Sequence, residues 1–450
     1  MEPTIAGALY TAETLLEGAV AFAKGIAHPT LPLKANLAHI TSTPLARSHH
    51  TLSVVKGRAY IFGGRAAPGT LADNDMHIVI LPSSGVLEAD YTSIKARSTQ
   101  SGGEVPSPRK GHTAVVVGDS IYVFGGKTQD NTDEKGRIWV FSTISNSWSH
   151  IDPAPDSQYP DHRWHHSAAS SELPGPRDEV MYREKAPQQP ADPAKVVPEP
   201  AESDTWGTIF IVGGTLLSSS QPSNDAFAFD VRTRTWSTIP SPSEPVKQGA
   251  SLVLVDDRLY RFAGQTPDGI YHNAIEYLDV SPVWKHAEGG TTPLTSGWAW
   301  EEIFSSPSPS SEPLPQSRSG TGLTSVTTGQ GRHYLLALGG EAQAGVVLED
   351  VWAFQLPSEK ATAAAAKDSS RASVKAATYE GKWAESVCKH VDTKGEVEKG
   401  RVEAQRGFGA RKDFAIAKGS EVDGATAVVW GGVDGSGNVL DDGWLVTVER

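Results

Sequence analysis

Only one cysteine, Cys388, stands among the 450 residues. Without a second thiol there is no intramolecular disulfide, and zinc sites built from several cysteines are excluded. A reducing compartment, the cytoplasm or alternatively the nucleus, is the expectation. A basic excess is also missing: 40 Lys and Arg face 53 Asp and Glu, a net charge of −13. That balance opposes general affinity for nucleic acid or anionic membrane, although a local basic patch remains compatible with it. No apolar run is long enough to span a bilayer. Residues 11–27, TAETLLEGAVAFAKGIA, carry Glu13, Glu17 and Lys24 inside their apolar stretch. They read as a short amphipathic helix rather than a secretion signal. Signatures of the forms GxxxxGK[ST] and HExxH are absent, and no residue is marked as a general acid or base.

What the chain does have is glycine, proline and tryptophan, with 44, 30 and 12 copies. Self-comparison explains all three. AYIFGG ends at Gly64, IYVFGG at Gly126, IFIVGG at Gly214, LYRFAG at Gly264, YLLALGG at Gly340 and AVVWGG at Gly432. Turns such as VKGR (55–58), VGDS (117–120) and VDDR (255–258) precede several of these runs, a hairpin signature. After each glycine come polar residues and another apolar strand, as in NDMHIVIL (74–81) and EDVWAFQL (349–356). A fourth element often carries a tryptophan: Trp148, Trp236, Trp300 and Trp383. The shortest interval, from Gly214 to Gly264, is the ~50-residue period of one repeat class, and the others read as that unit with insertions. Candidate flexible inserts are 172–203, rich in Pro and charge, 304–317, rich in Ser and Pro, and 359–378, an Ala/Ser/Lys tract.

With its glycine pairs, an Arg-x-x-His-like start and a late tryptophan in several units, the chain resembles kelch-repeat β-propellers. The resemblance implies an all-β fold of six four-stranded blades around a central channel. It divides the chain into an N-terminal helical extension, 1–34, and a propeller, 35–450. Repeat 6 ends after WLVTV without a fourth strand, so NLAHITSTPLAR (36–47) is predicted to pair into the last blade and close the ring.

Register on the glycine pairs brings further residues into line. Arg47, Arg109 and Lys247 precede their pairs by the same interval, and Arg163, Arg318 and Arg411 take that place once insertions are allowed for. Two readings follow: structural bases paired with acids of the blades, or a basic ring at a channel mouth that attracts an acidic segment. His49, His50, His112, His165 and His166 fall two or three residues after the base. They are either repeat residues with hydrogen-bonded rings or weak candidates for a metal site, which would need three or four ligands.

The resemblance also implies where a partner would bind, since binding propellers of this family use residues after the glycine pair and after the base. By position these are Arg65, Lys127, Thr215, Gln265 and Glu341, with His49, His165 and Asp413. The same superfamily contains galactose oxidase, whose copper site needs a Tyr–Cys crosslink; here Cys388 is at a fourth-strand position. Plant specifier proteins carry an iron motif of the form Glu-x3-Asp-x3-His. Asp73-x3-His77 and Asp268-x3-His272 occur here, with Gly69 and Gly264 in place of the glutamate. The reading is a monomeric, non-enzymatic binding module or scaffold for a protein partner, without a cofactor. Its alternatives are a small-molecule or metal-assisted enzyme at the channel mouth and a carbohydrate- or metabolite-binding propeller.

Overall fold

A computed structural model describes residues 30–40, 43–81, 91–175, 205–287, 297–304, 313–328, 331–358, 362–373, 378–391, 407–419 and 425–449. The helix expected at 11–27 and most of the three inserts lie outside these residues. Six sheets, antiparallel except for one added strand, follow one another along the chain. Blade 1 is built from Thr51–Val55, Arg58–Phe62, Met76–Ile80 and Tyr91–Ile94, paired in that order. Blade 2 repeats the arrangement with Thr113–Val117, Ser120–Phe124, Ile138–Ser142 and Ser147–Ile151. Blade 3 uses Ser167–Ser171, Thr208–Val212, Ala226–Asp230 and Thr235–Ile239. Blade 4 uses Ser251–Val255, Arg258–Phe262, Ile275–Asp279 and Glu301–Phe304. Blade 5 uses Gly322–Thr328, Arg332–Ala342, Val347–Gln355 and Trp383–Glu385.

The reason these strands are apolar without interruption lies in the stacking of the sheets. In Arg58–Phe62, Ala59 and Ile61 join a cluster with Val428 and Trp430 of blade 6. Tyr60 and Phe62 of the same strand join one with Val123 and Phe141 of blade 2. Both faces of a middle strand are buried, so period-two alternation gives way to a solid apolar run. The core is therefore six wedges between neighbouring blades. The late tryptophans stitch these wedges. Trp148 of blade 2 lies 4.9 Å from Phe62 of blade 1, Trp236 of blade 3 is 5.2 Å from Phe124, and Trp383 of blade 5 is 5.0 Å from Phe262.

Blade 6 holds Ala415–Lys418, Thr426–Trp430 and Gly443–Glu449, and its fourth strand is Lys34–His39 from the start of the propeller. The closing strand ends at His39, sooner than the expected 36–47. Leu45 and Arg47 donate instead to the Asp441 and Leu440 carbonyls, after Pro44, which has no N–H to give. A fifth strand, Val387–Val391, then pairs in parallel with Lys34–His39. It follows directly on the outer strand of blade 5, so the chain steps across the seam. Cys388 sits on this added strand, opposite Ala35, and burial pushes its thiol up to about 12.

Part of the tract read as a flexible insert at 359–378 is ordered: Ala363–Ser373 is a helix. Its Asp368 accepts from Arg332 at 2.8 Å and from Arg371 at 3.0 Å, all three buried. Four consecutive alanines favour the helix, and the Asp368 carboxylate gives it a buried anchor.

Candidate functional site

Around one end of the channel the six blades repeat four positions, counted from the base that starts each first strand. The bases themselves, Arg47, Arg109, Arg163, Lys247, Arg318 and Arg411, are buried. Each reaches an acid of its own blade. Arg109 binds Glu134 in a two-pronged contact of 2.8 and 2.7 Å, Arg318 binds Asp350 at 2.6 and 2.7 Å, and Arg411 binds Asp442 at 2.8 and 2.9 Å. Arg47 meets Asp73 and Arg163 meets Asp225, each at 3.4 Å, and Lys247 pairs with Glu276. Arg109, Arg163, Arg318 and Arg411 also donate to the carbonyl of the first glycine of their pair, at 2.9–3.0 Å. The reading of these bases as a ring open to an acidic segment is thus corrected. Their charge is neutralised inside the blades, where it ties the glycine turn to the third strand. Asp73 and His77 belong to this arrangement: His77 Nε2 lies 2.9 Å from Arg47 and 3.1 Å from Asp73, and its Nδ1 lies 2.7 Å from the Tyr91 hydroxyl.

One residue further on, six short ladders rim the mouth. Ser48 pairs with Arg65, Lys110 with Lys127, Trp164 with Thr215, Gln248 with Gln265, Ser319 with Glu341 and Lys412 with Val433. The ladder is possible because the glycine pair turns left-handed. Gly64 has φ 89°, and a Cβ there would come within 2.5 Å of the Ser48 carbonyl oxygen.

Two residues after the base, His49, Gly111, His165, Gly249, Gly320 and Asp413 form an axial ring, all with φ between 52° and 62°. Their backbones join blade to blade. His49 N–H donates to Asp413 O at 2.9 Å, Gly111 to His49 at 2.9 Å, His165 to Gly111 at 2.7 Å, and Gly320 to Gly249 at 3.0 Å. From blade 3 to blade 4 the Ser167 hydroxyl donates to the Ala250 carbonyl. Three side chains rise from the ring. The His49 and His165 rings stack at 5.1 Å, and His49 Nε2 lies 3.4 Å from an Asp413 oxygen. Burial, then the charges of Arg65 and Lys110, lowers His49 to about 4; burial, then His49, lowers His165 to about 4. Burial raises the Asp413 carboxyl. These residues line a cavity of about 180 Å³. Among the described residues no group of three His, Cys, Asp or Glu side chains is arranged to hold a metal ion.

The third position answers why histidines come in pairs. His50, His112 and His166 are buried, each wedged between the second glycine of its own blade and the first glycine of the preceding one. His112 Nε2 meets the Thr51 hydroxyl at 3.0 Å and His166 Nε2 meets Thr113 at 2.7 Å, each across a blade boundary. For His50 the corresponding residue is Ala415, and both of its ring nitrogens lack a partner among the described residues. Ala415→Thr is therefore expected to raise stability by about 1 kcal/mol, read as a higher midpoint in chemical unfolding. A midpoint unchanged or lowered would refute this pairing.

Of the positions expected to contact a partner, His49, Arg65, Lys127, His165, Thr215, Gln265, Glu341 and Asp413 lie at the mouth, on the ring or its rim. The sequence reading missed Lys110, Trp164 and Lys412, which occupy the rim position next to each base. Lys412 is held by Glu341 at 2.7 Å. Lys110 and Lys127 stand 5.7 and 5.5 Å from the centre of the Trp164 ring.

Comparison with known proteins agrees with this geometry. Residues 50–172, blades 1 and 2 with the first strand of blade 3, match the KLHDC2/KLHL20/DRC7 Kelch-repeats domain. Residues 207–243, the rest of blade 3, match the Kelch motif. Kelch domain-containing protein 3 of Homo sapiens is 24% identical over 263 residues, 54% of this chain and 57% of that protein. The tRNA wybutosine-synthesizing protein 2/3/4 of Oryza sativa subsp. japonica is 36% identical over 126 residues, 28% of this chain and 10% of that protein. The N-(sulfonatooxy)prop-2-enimidothioate sulfolyase of Thlaspi arvense is 28% identical over 130 residues, 29% and 34% of the two chains. Each alignment spans less than two thirds of the relative's length. Six blades closed into a ring, five with a glycine pair and one with Ala263-Gly264 in its place, and two segments that match kelch repeats make this chain a kelch-repeat β-propeller protein.

Proposed function

We propose that this propeller is a non-enzymatic binding module that takes a protein partner on the loop face around the ringed mouth, in a reducing compartment and as a monomer. One observation carries the reading. Arg65, Lys110 and Lys127 crowd one sector of the rim, blades 1 and 2, with no ion pair to an acid among the described residues, although the Asp413 carboxyl feels the Arg65 charge. The bases one position away are all neutralised within their blades, and the whole chain carries −13. An uncompensated positive sector on an acidic protein suits an acidic segment and speeds its encounter. Apolar tips supply the rest of such a contact: Ile270 and Val346, both 54% exposed, cap the loops of blades 4 and 5. Among the described residues no helix is long and apolar enough to cross a membrane.

Affinity capture from the native cell tests this. Wild-type protein should recover a specific partner in low salt, and Lys110→Ala/Lys127→Ala should recover at least about tenfold less, with capture falling as salt rises. Equal recovery by the double variant would remove the loop-face reading.

A further inference from the structure

We infer that the segment held in this sector presents a phosphorylated side chain to Arg65, Lys110 and Lys127. The inference rests on the loop-face reading above and names the chemistry of its anion. Lys110 and Lys127 are direct partners in a two-residue antiparallel ladder. Like charges set opposite each other weaken such a pair, and nothing in the fold requires them there. Positions equivalent to them hold Trp164 with Thr215, Gln248 with Gln265 and Ser319 with Glu341, so the ladder forms without two bases. Arg65 adds a third charge close by: after burial, Arg65 and Lys127 are what lower the Lys110 ammonium. The Trp164 ring flanks both ammonium groups and limits where they can go. Trp164 is in turn fixed against His165, at 4.2 Å between rings.

Counting charge selects the anion. One carboxylate would leave two of the three bases uncompensated. A phosphate monoester carries about −1.5 to −2 and three acceptor oxygens, so each base can take its own oxygen. His49 and His165, neutral near pH 7, add donors or acceptors beside the sector without adding charge. A protein segment is favoured over a membrane or nucleic acid because the positive surface is one narrow sector, bordered on the rim by Trp164 with Thr215 on blade 3 and by Lys412 on blade 6, whose charge Glu341 offsets at 2.7 Å, on a chain of net charge −13.

The test uses the full chain and two small probes of similar shape and different charge, phenyl phosphate and phenyl sulfate, titrated calorimetrically at pH 8. The phosphate ester should bind at least about tenfold more tightly, and Lys110→Ala/Lys127→Ala should abolish that preference. Phosphatase treatment of the lysate should likewise abolish Lys110-dependent capture of the partner. Equal affinity for the two esters, or capture that survives phosphatase, would overturn the phosphate assignment. In that outcome, capture still dependent on Lys110 and Lys127 would leave the loop-face reading standing. Binding of phosphatidylserine vesicles by the wild type, lost in the double variant, would assign the sector to a membrane and overturn the proposal.

Discussion

Acidification from pH 7.5 to 4.5 is expected to lower the urea unfolding midpoint steeply, with the loss beginning near pH 6.5. Five histidines set this. Burial, the first cause in each case, lowers His49 and His165 to about 4 and His112 to about 3, and holds His50 and His166 well below the ordinary value. In the unfolded chain these rings take a proton as the pH falls through about 6.5. The folded rings do not until about pH 4, so the unfolded state binds more protons between these values and folding stability falls with pH. Each group removes up to about 1.4 kcal/mol per pH unit in that window. A domain's whole margin is about 5–15 kcal/mol, so three groups acting at half that rate consume its lower end before pH 4. Asp413 is shifted the opposite way: its raised carboxyl favours the folded state at low pH and offsets one histidine at most. Tryptophan fluorescence in urea at several pH values checks this, and a midpoint constant between pH 7.5 and 4.5 would refute it.

Neighbouring bases should respond to truncation in opposite ways. Arg109→Met is expected to cost about 3–5 kcal/mol, because it strands Glu134, of which 12% is exposed, and removes the donor to the Gly125 carbonyl. Lys110→Ala, one residue later, should stay within about 0.5 kcal/mol or stabilise, because it relieves the Lys110–Lys127 pair. Chemical denaturation of the two single variants gives the contrast directly. Similar costs at both positions would show that the division between buried and rim bases is wrong.

That division is where the sequence stopped being legible. The glycine pairs, the bases and the tryptophans recur because each blade needs the same turn, anchor and wedge, so self-comparison found six blades and the closing strand. The acids that neutralise the bases keep no common spacing. Asp73 lies 26 residues from its base, Glu134 25, Glu276 29, Asp350 32 and Asp225 62, since inserts fall between them. Without those partners the bases look like a charged ring. Lys110 and Trp164 carry a signal that was readable, namely their place directly after the base. Their value appears only once the ladder sets Lys110 opposite Lys127. The helix Ala363–Ser373 was hidden by composition, because a tract short of large apolar residues is anchored through charge, at Arg332 and Asp368.

The left-handed backbone of the axial ring divides the mouth into a constrained part and a variable one. At those six positions only glycine and small polar residues such as asparagine, aspartate and histidine are readily accommodated, and a β-branched or bulky residue would be an outlier. Glycine, histidine and aspartate are what this chain has there. Differences in ligand preference between propellers built this way must then be written mainly in the rim ladders, whose extended backbone takes any side chain. Engineering a new specificity here amounts to rewriting pairs such as Ser48 with Arg65 or Gln248 with Gln265 while leaving the ring untouched.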